Sequence, residues 1–168
     1  LLIEYNVVDS IGLAGIQFQG NDVVVKNNRV SNFCNTLEDQ GGIYTYVSGT
    51  DANPGAYYTN RLITGNIVSK GIGAPQGTTS TTGDFAGIYL DGRSMNVTVT
   101  GNTVFDCNNN AFQSNNPKNI NVHNNTFYNN LRDVTFTRWA WGSITNLNIK
   151  RNISFSMNGD QKNMVYTN

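Results

Sequence analysis

Six asparagines recur along the chain, each set in the same apolar frame. The frames are Ile3-Glu4-Tyr5-Asn6-Val7-Val8, Val25-Lys26-Asn27-Asn28-Arg29-Val30, Ile63-Thr64-Gly65-Asn66-Ile67-Val68, Val99-Thr100-Gly101-Asn102-Thr103-Val104, Val122-His123-Asn124-Asn125-Thr126-Phe127 and Ile149-Lys150-Arg151-Asn152-Ile153-Ser154. Ile or Val stands three residues before every Asn. Val or Phe stands two residues after it, except at Ser154. Five residues before it stand Leu1, Val23, Arg61, Val97, Ile120 and Leu147, with Arg61 the misfit. The spacings between the asparagines are 22, 38, 36, 23 and 27 residues. A period near 22–23 with insertions is that of a solenoid coil, which buries its apolar side only by stacking on the next coil.

Within the frames, apolar residues alternate: Val97 and Val99, Ile120 and Val122, Leu147 and Ile149. Period two is strand, and Val, Ile and Thr favour the pleated surface. A second strand family lies between the frames. It reads Gly15-Ile16-Gln17-Phe18, Gly42-Ile43-Tyr44-Thr45, Gly87-Ile88-Tyr89-Leu90 and Asp133-Val134-Thr135-Phe136, with Ala111-Phe112-Gln113-Ser114 open to two registers. Parallel crossovers are right-handed in nearly all cases. The expected fold is therefore all-β, a right-handed parallel β-helix of about six coils with two loop insertions. At ~4.8 Å per coil the stack spans roughly 29 Å. Asn6, Asn28, Asn66, Asn102, Asn125 and Asn152 are assigned to architecture, because Asn tolerates left-handed turns and its amides can bond from coil to coil.

Composition bounds the function. The 168 residues suit one domain with a real core, and they carry no net formal charge, with 13 % charged residues. No basic stripe points to nucleic acid, and no apolar run approaches the ~18 residues that would cross a membrane. The lack of a basic cluster also weighs against a highly anionic partner. Cys34 and Cys107 follow frames two coils apart, ~9–10 Å by strand spacing, so two free buried thiols are expected. His123, the one histidine, falls in an outward column with Lys26, Thr64, Thr100 and Lys150. The opening Leu1-Leu2-Ile3, already inside a frame, reads as a piece of a longer protein. Low charge with abundant Asn, Thr and Gly fits an exported bacterial or viral protein, secreted, periplasmic or on the cell surface.

The insertions fall at 47–59 and 69–84, rich in Gly, Pro, Ser and Thr, hence loops. They leave opposite ends of one sheet in neighbouring coils, so they wall a groove across its outer face, and solenoid loops commonly carry binding. The outward positions there are Gln17 and Gln19, Tyr44 and Tyr46, Tyr89 and Asp91, Phe112 or Gln113 with Ser114, and Thr135 and Thr137. Arg93, Arg138 and Trp139 lie just beyond. Exposed aromatics pack on sugar rings while acids and amides bond the hydroxyls, which makes Tyr44, Tyr46, Tyr89, Arg93 and Trp139 candidate substrate contacts. Asp39 and Asp84 each lie four residues before the strand's Ile, at equivalent positions one coil apart, and Asp91 projects from the same strand as Tyr89. Like charges held close push one pKa up and yield an acid and a base at one pH, the pair that glycoside hydrolysis needs. Asp39 and Asp84 also suit turn caps, and Glu38 is a further acid nearby. One histidine makes neither a metal cluster nor a Ser-His-Asp triad.

The repeats resemble those of the pectate-lyase-like superfamily over nearly the whole chain. Asp39-Gln40-Gly41-Gly42-Ile43-Tyr44-Thr45 and Gly87-Ile88-Tyr89-Leu90-Asp91-Gly92 resemble segments of bacterial β-helix enzymes similar to glycoside hydrolase families 120 and 141. The resemblance implies strand-borne acids on successive coils as the catalytic pair, led by Asp39 and Asp91 with Asp84 third. Gly92 stands where relatives often carry a second Asp. The leading expectation is a glycoside hydrolase acting on a polysaccharide or oligosaccharide. A polysaccharide lyase or epimerase on the same fold is the alternative, with Arg93, Lys70 or Arg138 as its basic partners and Ca²⁺ as its ion. The third is a non-catalytic glycan-binding solenoid. The hydrolase needs no cofactor or metal. Taken as an exposed position, Asp91 predicts that Asp91→Asn removes turnover while sparing the fold, read by reducing-end release beside circular dichroism.

Overall fold

The computed structural model describes residues 1–74, 77 and 83–167. Among them there is no helix, and the strands form three parallel sheets of six strands each, one strand per coil in each sheet. The chain is a parallel β-helix. The first sheet runs through Leu2–Glu4, Val23–Lys26, Arg61–Thr64, Met95–Thr100, Lys118–His123 and Thr145–Lys150. The second runs through Val7–Asp9, Arg29–Phe33, Ile67–Gly71, Thr103–Phe105, Thr126–Tyr128 and Ile153–Phe155. The third runs through Ile16–Gln17, Gln40–Val47, Phe85–Gly92, Asn110–Asn115, Arg132–Thr137 and Lys162–Thr167. Each frame expected as one strand is thus two, split at its Asn.

That split explains the asparagine column. Each Asn sits at the corner between the first and second sheets, and from the second coil on its side-chain oxygen accepts two bonds from the coil before. Asn102 Oδ1 takes the Asn66 backbone N–H at 3.0 Å and the Asn66 amide at 2.9 Å. The same pair of bonds links Asn6 to Asn28, Asn28 to Asn66, Asn102 to Asn125 and Asn125 to Asn152. The ladder residues themselves are not left-handed, contrary to one of the two reasons for expecting Asn there. The left-handed turn is made by the residue before each: Tyr5, Asn27, Gly65, Gly101, Asn124 and Arg151, with φ from 54° to 66°.

Six residues before each ladder Asn from the second coil on, a further left-handed corner carries Asp22, Asn60, Asn96, Asn119 and Asn146. Here too amides bond between coils, Asn119 to Asn96 at 2.9 Å and Asn146 to Asn119 at 2.8 Å. This second column lay unnoticed in the sequence because its apolar frame is weaker.

The core fills the tube with the alternating residues of all three sheets, among them Val25, Ile63, Val99, Val122, Val30, Val68, Val104, Phe127, Ile43, Ile88 and Phe112. The glycines of the Gly-Ile-Tyr segments are there because the tube is narrow. A Cβ on Gly42 would lie 2.6 Å from Val68 Cγ1, and one on Gly15 would lie 2.5 Å from Val30 Cγ1. Pairing of Ile43 with Ile88, Phe112 and Val134 puts Gly42, Gly87, Ala111 and Asp133 in one column. Arg61, the misfit, pairs in register with Val23 and Val97 yet is buried. Its guanidinium donates to Thr45 Oγ1 at 3.2 Å and to the Met95 carbonyl, and stands 5.6 Å from the Tyr58 ring centre. Desolvation lowers its pKa to about 10.

Cys34 and Cys107 are both free and buried, as expected. His123 lies in the column Lys26, Thr64, Thr100, His123, Lys150 and accepts or donates a 3.0 Å bond with Thr100. Among the described residues no helix is long and apolar enough to cross a membrane.

Two stability measurements follow from this architecture. Asn102→Ala leaves the buried Asn66 N–H without its acceptor and should cost about 3 kcal/mol in denaturant unfolding, well above the cost of Asn6→Ala at the exposed end. Asp133 is buried, with Oδ1 on the Asn130 amide, and burial raises its pKa. Its folded pKa exceeds the unfolded value, so its contribution is fullest below about pH 4 and is lost as pH rises through the raised value. Asp133→Asn should flatten that decline in a series of thermal midpoints against pH.

Candidate functional site

The third sheet carries the candidate acids, and strand pairing fixes where they stand. Gln40 pairs with Phe85, so Asp39 and Asp84 occupy equivalent places on the second and third coils, and the Asp39 N–H donates to the Asp84 carbonyl at 2.5 Å. Asp39 adopts φ 62°, a left-handed conformation that Asp tolerates. The register open at 111–114 is settled by Phe112, which pairs with Ile88 and fills the core. Gln113 therefore continues the outward row of Tyr44 and Tyr89, and Asn115 lies two residues further on the same face. Ser114 faces inward, in the row of Leu90 and Phe136.

The outward face is not an open row of tyrosines. Tyr44 and Tyr89 are 5 % and 1 % exposed, packed edge to face at 5.6 Å between ring centres, in a small apolar cluster with Ala86 and Ala14. Gly41 makes room for them, since a Cβ there would lie 3.1 Å from Tyr89 Cβ. Their rings are not offered to a ligand; only Tyr46, at 40 % exposure, is. Their hydroxyls are engaged instead. Tyr44 donates to Asp91 Oδ2 at 2.8 Å, and Tyr89 hydrogen-bonds the Asp39 carboxyl. The Asn115 amide bridges Asp91 Oδ1 at 2.8 Å and the Tyr89 hydroxyl at 2.9 Å. Burial and the Asp91 charge push both phenols up, so they remain protonated donors.

Asp91 is buried as well, against the expectation of an exposed carboxylate. It accepts from Tyr44, from Asn115 and from the Gly92 N–H at 2.5 Å. These three donors hold its side chain in place. Asp39 and Asp84 are the exposed members. Asp39 lies over the tyrosine cluster on one side; that partial desolvation, then the Asp91 and Asp84 charges, push its carboxyl up to about 6. Solvent on its open side screens part of those charges. The Asp84 pKa is also raised, chiefly by desolvation, against a bond from the Gln113 amide at 3.2 Å. Glu38 Oε2 accepts the Asp84 N–H at 3.3 Å. Three carboxylates in one neighbourhood, of which two face solvent, can divide the roles of acid and base.

Beyond Asp84 the sheet opens into a cleft of about 590 Å³. Glu38 and Asp84 stand at one end, Thr135, Thr137, Val165 and Thr167 line it, and Trp139, 46 % exposed, borders it. The loop at 47–59 bounds the far edge of the sheet. Its Asp51 binds Lys118 at 2.6 Å, Ser143 at 2.7 Å and Arg93 at 3.2 Å, and its N–H donates to the Trp141 carbonyl. Arg93 is thus a buried anchor for this loop, not a solvent-facing substrate contact. Of the loop at 69–84, residues 75, 76 and 78–82 lie outside the described residues, and so does the wall expected from them. Among the described residues no group of three or more His, Cys, Asp or Glu could hold a metal ion.

Sequence reasoning left Gln113 as one of two alternatives at 111–114, and it missed Asn115 and the cleft residues Asn110, Arg132 and Lys162. The strand Lys162–Thr167 lacks the Gly-Ile opening of its relatives, which is why it went unread. Comparison with protein-family models, curated proteins and solved structures finds no match for this chain. Because the Asp91 side chain is buried, Tyr44→Phe should cost about 1–3 kcal/mol by leaving its Oδ2 without a donor. Asp91→Asn should destabilise too, by placing an amide against the Tyr44 or Gly92 donor; unfolding curves of both variants check this.

Proposed function

We propose that this chain is a carbohydrate-active β-helix that hydrolyses a glycosidic bond of a polysaccharide, with Asp39 as general acid and Asp84 as nucleophile or base. The supporting observation is the pair of solvent-facing carboxylates on adjacent coils, Asp84 lining the end of the cleft and Asp39 one coil behind it with its pKa raised to about 6. A carboxyl with that pKa keeps its proton in weakly acidic solution, as protonation of a leaving glycosidic oxygen requires. Asp91 contributes the fixed negative charge that helps hold the proton on Asp39. Trp139 offers the exposed aromatic face on which a sugar ring stacks, and the cleft's threonines offer hydroxyls to bond. Tyr46 is a second exposed ring on the same sheet. The two residues stand one coil apart, ~4.8 Å by strand spacing, which favours the short separation of a retaining mechanism. In this reading the β-helix is similar in kind to β-helix glycoside hydrolases, and export to the cell surface or beyond would bring it to its polymer.

The test is product release from neutral and uronic polysaccharides. New reducing ends without ultraviolet-absorbing unsaturated ends, reduced about 10²–10⁴-fold in Asp39→Asn and Asp84→Asn, support hydrolysis by this pair. Unsaturated ends would replace it with a lyase, and retention of glycan without product would replace it with a binding module. The rate should fall as pH rises through about 6, because Asp39 must be protonated. It should also fall at low pH, because Asp84 must be ionised and its pKa is itself raised. Asp39→Asn should erase the alkaline limb from whatever activity remains.

A further inference from the structure

One edge of the third sheet changes charge along the solenoid axis. Glu38 and Asp39 stand on the second coil, Asp84 on the third, Asn110 on the fourth, Arg132 on the fifth and Lys162 on the sixth. Asn110 pairs with Arg132 and Arg132 with Lys162, so the two cations stack one coil apart, ~4.8 Å by strand spacing. Both line the same cleft as Glu38 and Asp84. The Arg132 guanidinium donates to Asn109 Oδ1, a neutral acceptor. Among the described residues neither cation lies within ion-pair distance of a carboxylate. The other cleft residues near them, Thr135, Val165 and Thr167, are uncharged.

We infer that Arg132 and Lys162 form a subsite for an anionic group on the sugar chain, a carboxylate or a sulfate ester, two to three coils along the cleft from Asp84. The inference rests on reading the cleft as a glycan cleft. A guanidinium presents a planar fork that matches a carboxylate or sulfate, and a neighbouring ammonium adds a second charge from the next coil. The two residues are thirty apart in sequence, which is why no basic cluster was visible there; the register assembles it. The subsite fixes the class of polymer as acidic, and it fixes direction. A chain laid along the axis places its anionic residue at the Arg132–Lys162 end, away from the carboxylates that would repel it, so the bond presented to Asp39 and Asp84 lies on one side of that residue only.

The test is binding by the Asp39→Asn protein, which leaves the polymer intact, in affinity electrophoresis. The probes are glucuronoxylan and polygalacturonate, the carboxyl-reduced form of each, and a sulfated xylan. The expected result is tighter retention by a uronate or by the sulfated polymer than by the neutral forms, weakened by added salt. Retention by uronates alone assigns the group as carboxylate, and by sulfated xylan alone as sulfate ester. Adding Arg132→Gln and Lys162→Gln together should weaken acidic binding about tenfold and leave neutral binding within about twofold. Arg132→Lys, which keeps the charge, should retain most of it. Equal retention of acidic and neutral forms by the parent would overturn the subsite and leave the glycan reading standing. Retention of no polymer at all would overturn both. The comparison of probes on the Asp39→Asn parent needs no further variant to fold.

Discussion

The structure depends on one repeated bond pair, the side-chain oxygen of an Asn receiving both the backbone N–H and the amide of the Asn one coil before. At the corner between two sheets the backbone turns away from its ladder, so an N–H there has no strand partner. Water cannot supply one, because Asn28, Asn66, Asn102 and Asn125 are buried. An unpaired buried donor costs about 1–3 kcal/mol, and this corner recurs in every coil. Asn is suited to the place because it accepts and donates in the same side chain. Asp could accept but not pass a bond on, and Ser is too short to span the gap between coils. The left-handed residue just before it completes the turn. Coil height, strand register and the alignment of the third sheet's outer face all follow from keeping these corners stacked.

The acids gain their chemistry from that alignment. Asp39 and Asp84 are neighbours because equivalent positions of successive coils are neighbours. The tyrosines beneath them are buried by their own mutual packing, and their hydroxyls tie Asp91 and Asp39 into one network with Asn115. The result has a dry floor and a wet rim. Charges on the dry side are held fixed by phenol and amide donors, whereas the rim carboxyls remain free to gain or lose a proton.

The fold was legible because the asparagine frame repeats at every coil and the alternation of Val and Ile around it is nearly unbroken. The adjacency of Asp39 and Asp84 was legible for the same reason, since it needs only the register of Ile43 with Ile88. Burial on the outer face was not. Period-two patterning says which way Tyr44, Tyr89 and Asp91 point, but whether a side chain pointing outward meets water depends on its neighbours across coils and on the Gly41 gap that lets Tyr89 settle. Arg93 was misread similarly: its anchor, Asp51, lies in an inserted loop with no repeat to place it. Asn115 was hidden behind the ambiguous strand at 111–114, and the Arg132–Lys162 pair behind a last strand with no Gly-Ile start.

The loop at 47–59 also changes how this solenoid holds together as a whole. An array of coils that touch only their neighbours can fray from either end, each coil leaving at its own cost. Here Asp51, carried on the turn after the second coil, grips Lys118 and Ser143 at the fifth and Arg93 at the end of the third. That strap closes a long loop across several interfaces at once, so the coils beneath it cannot peel away singly without releasing it. The middle of the solenoid, where the carboxylates and the start of the cleft lie, is bound into one cooperative block, and the outermost coils are left to breathe.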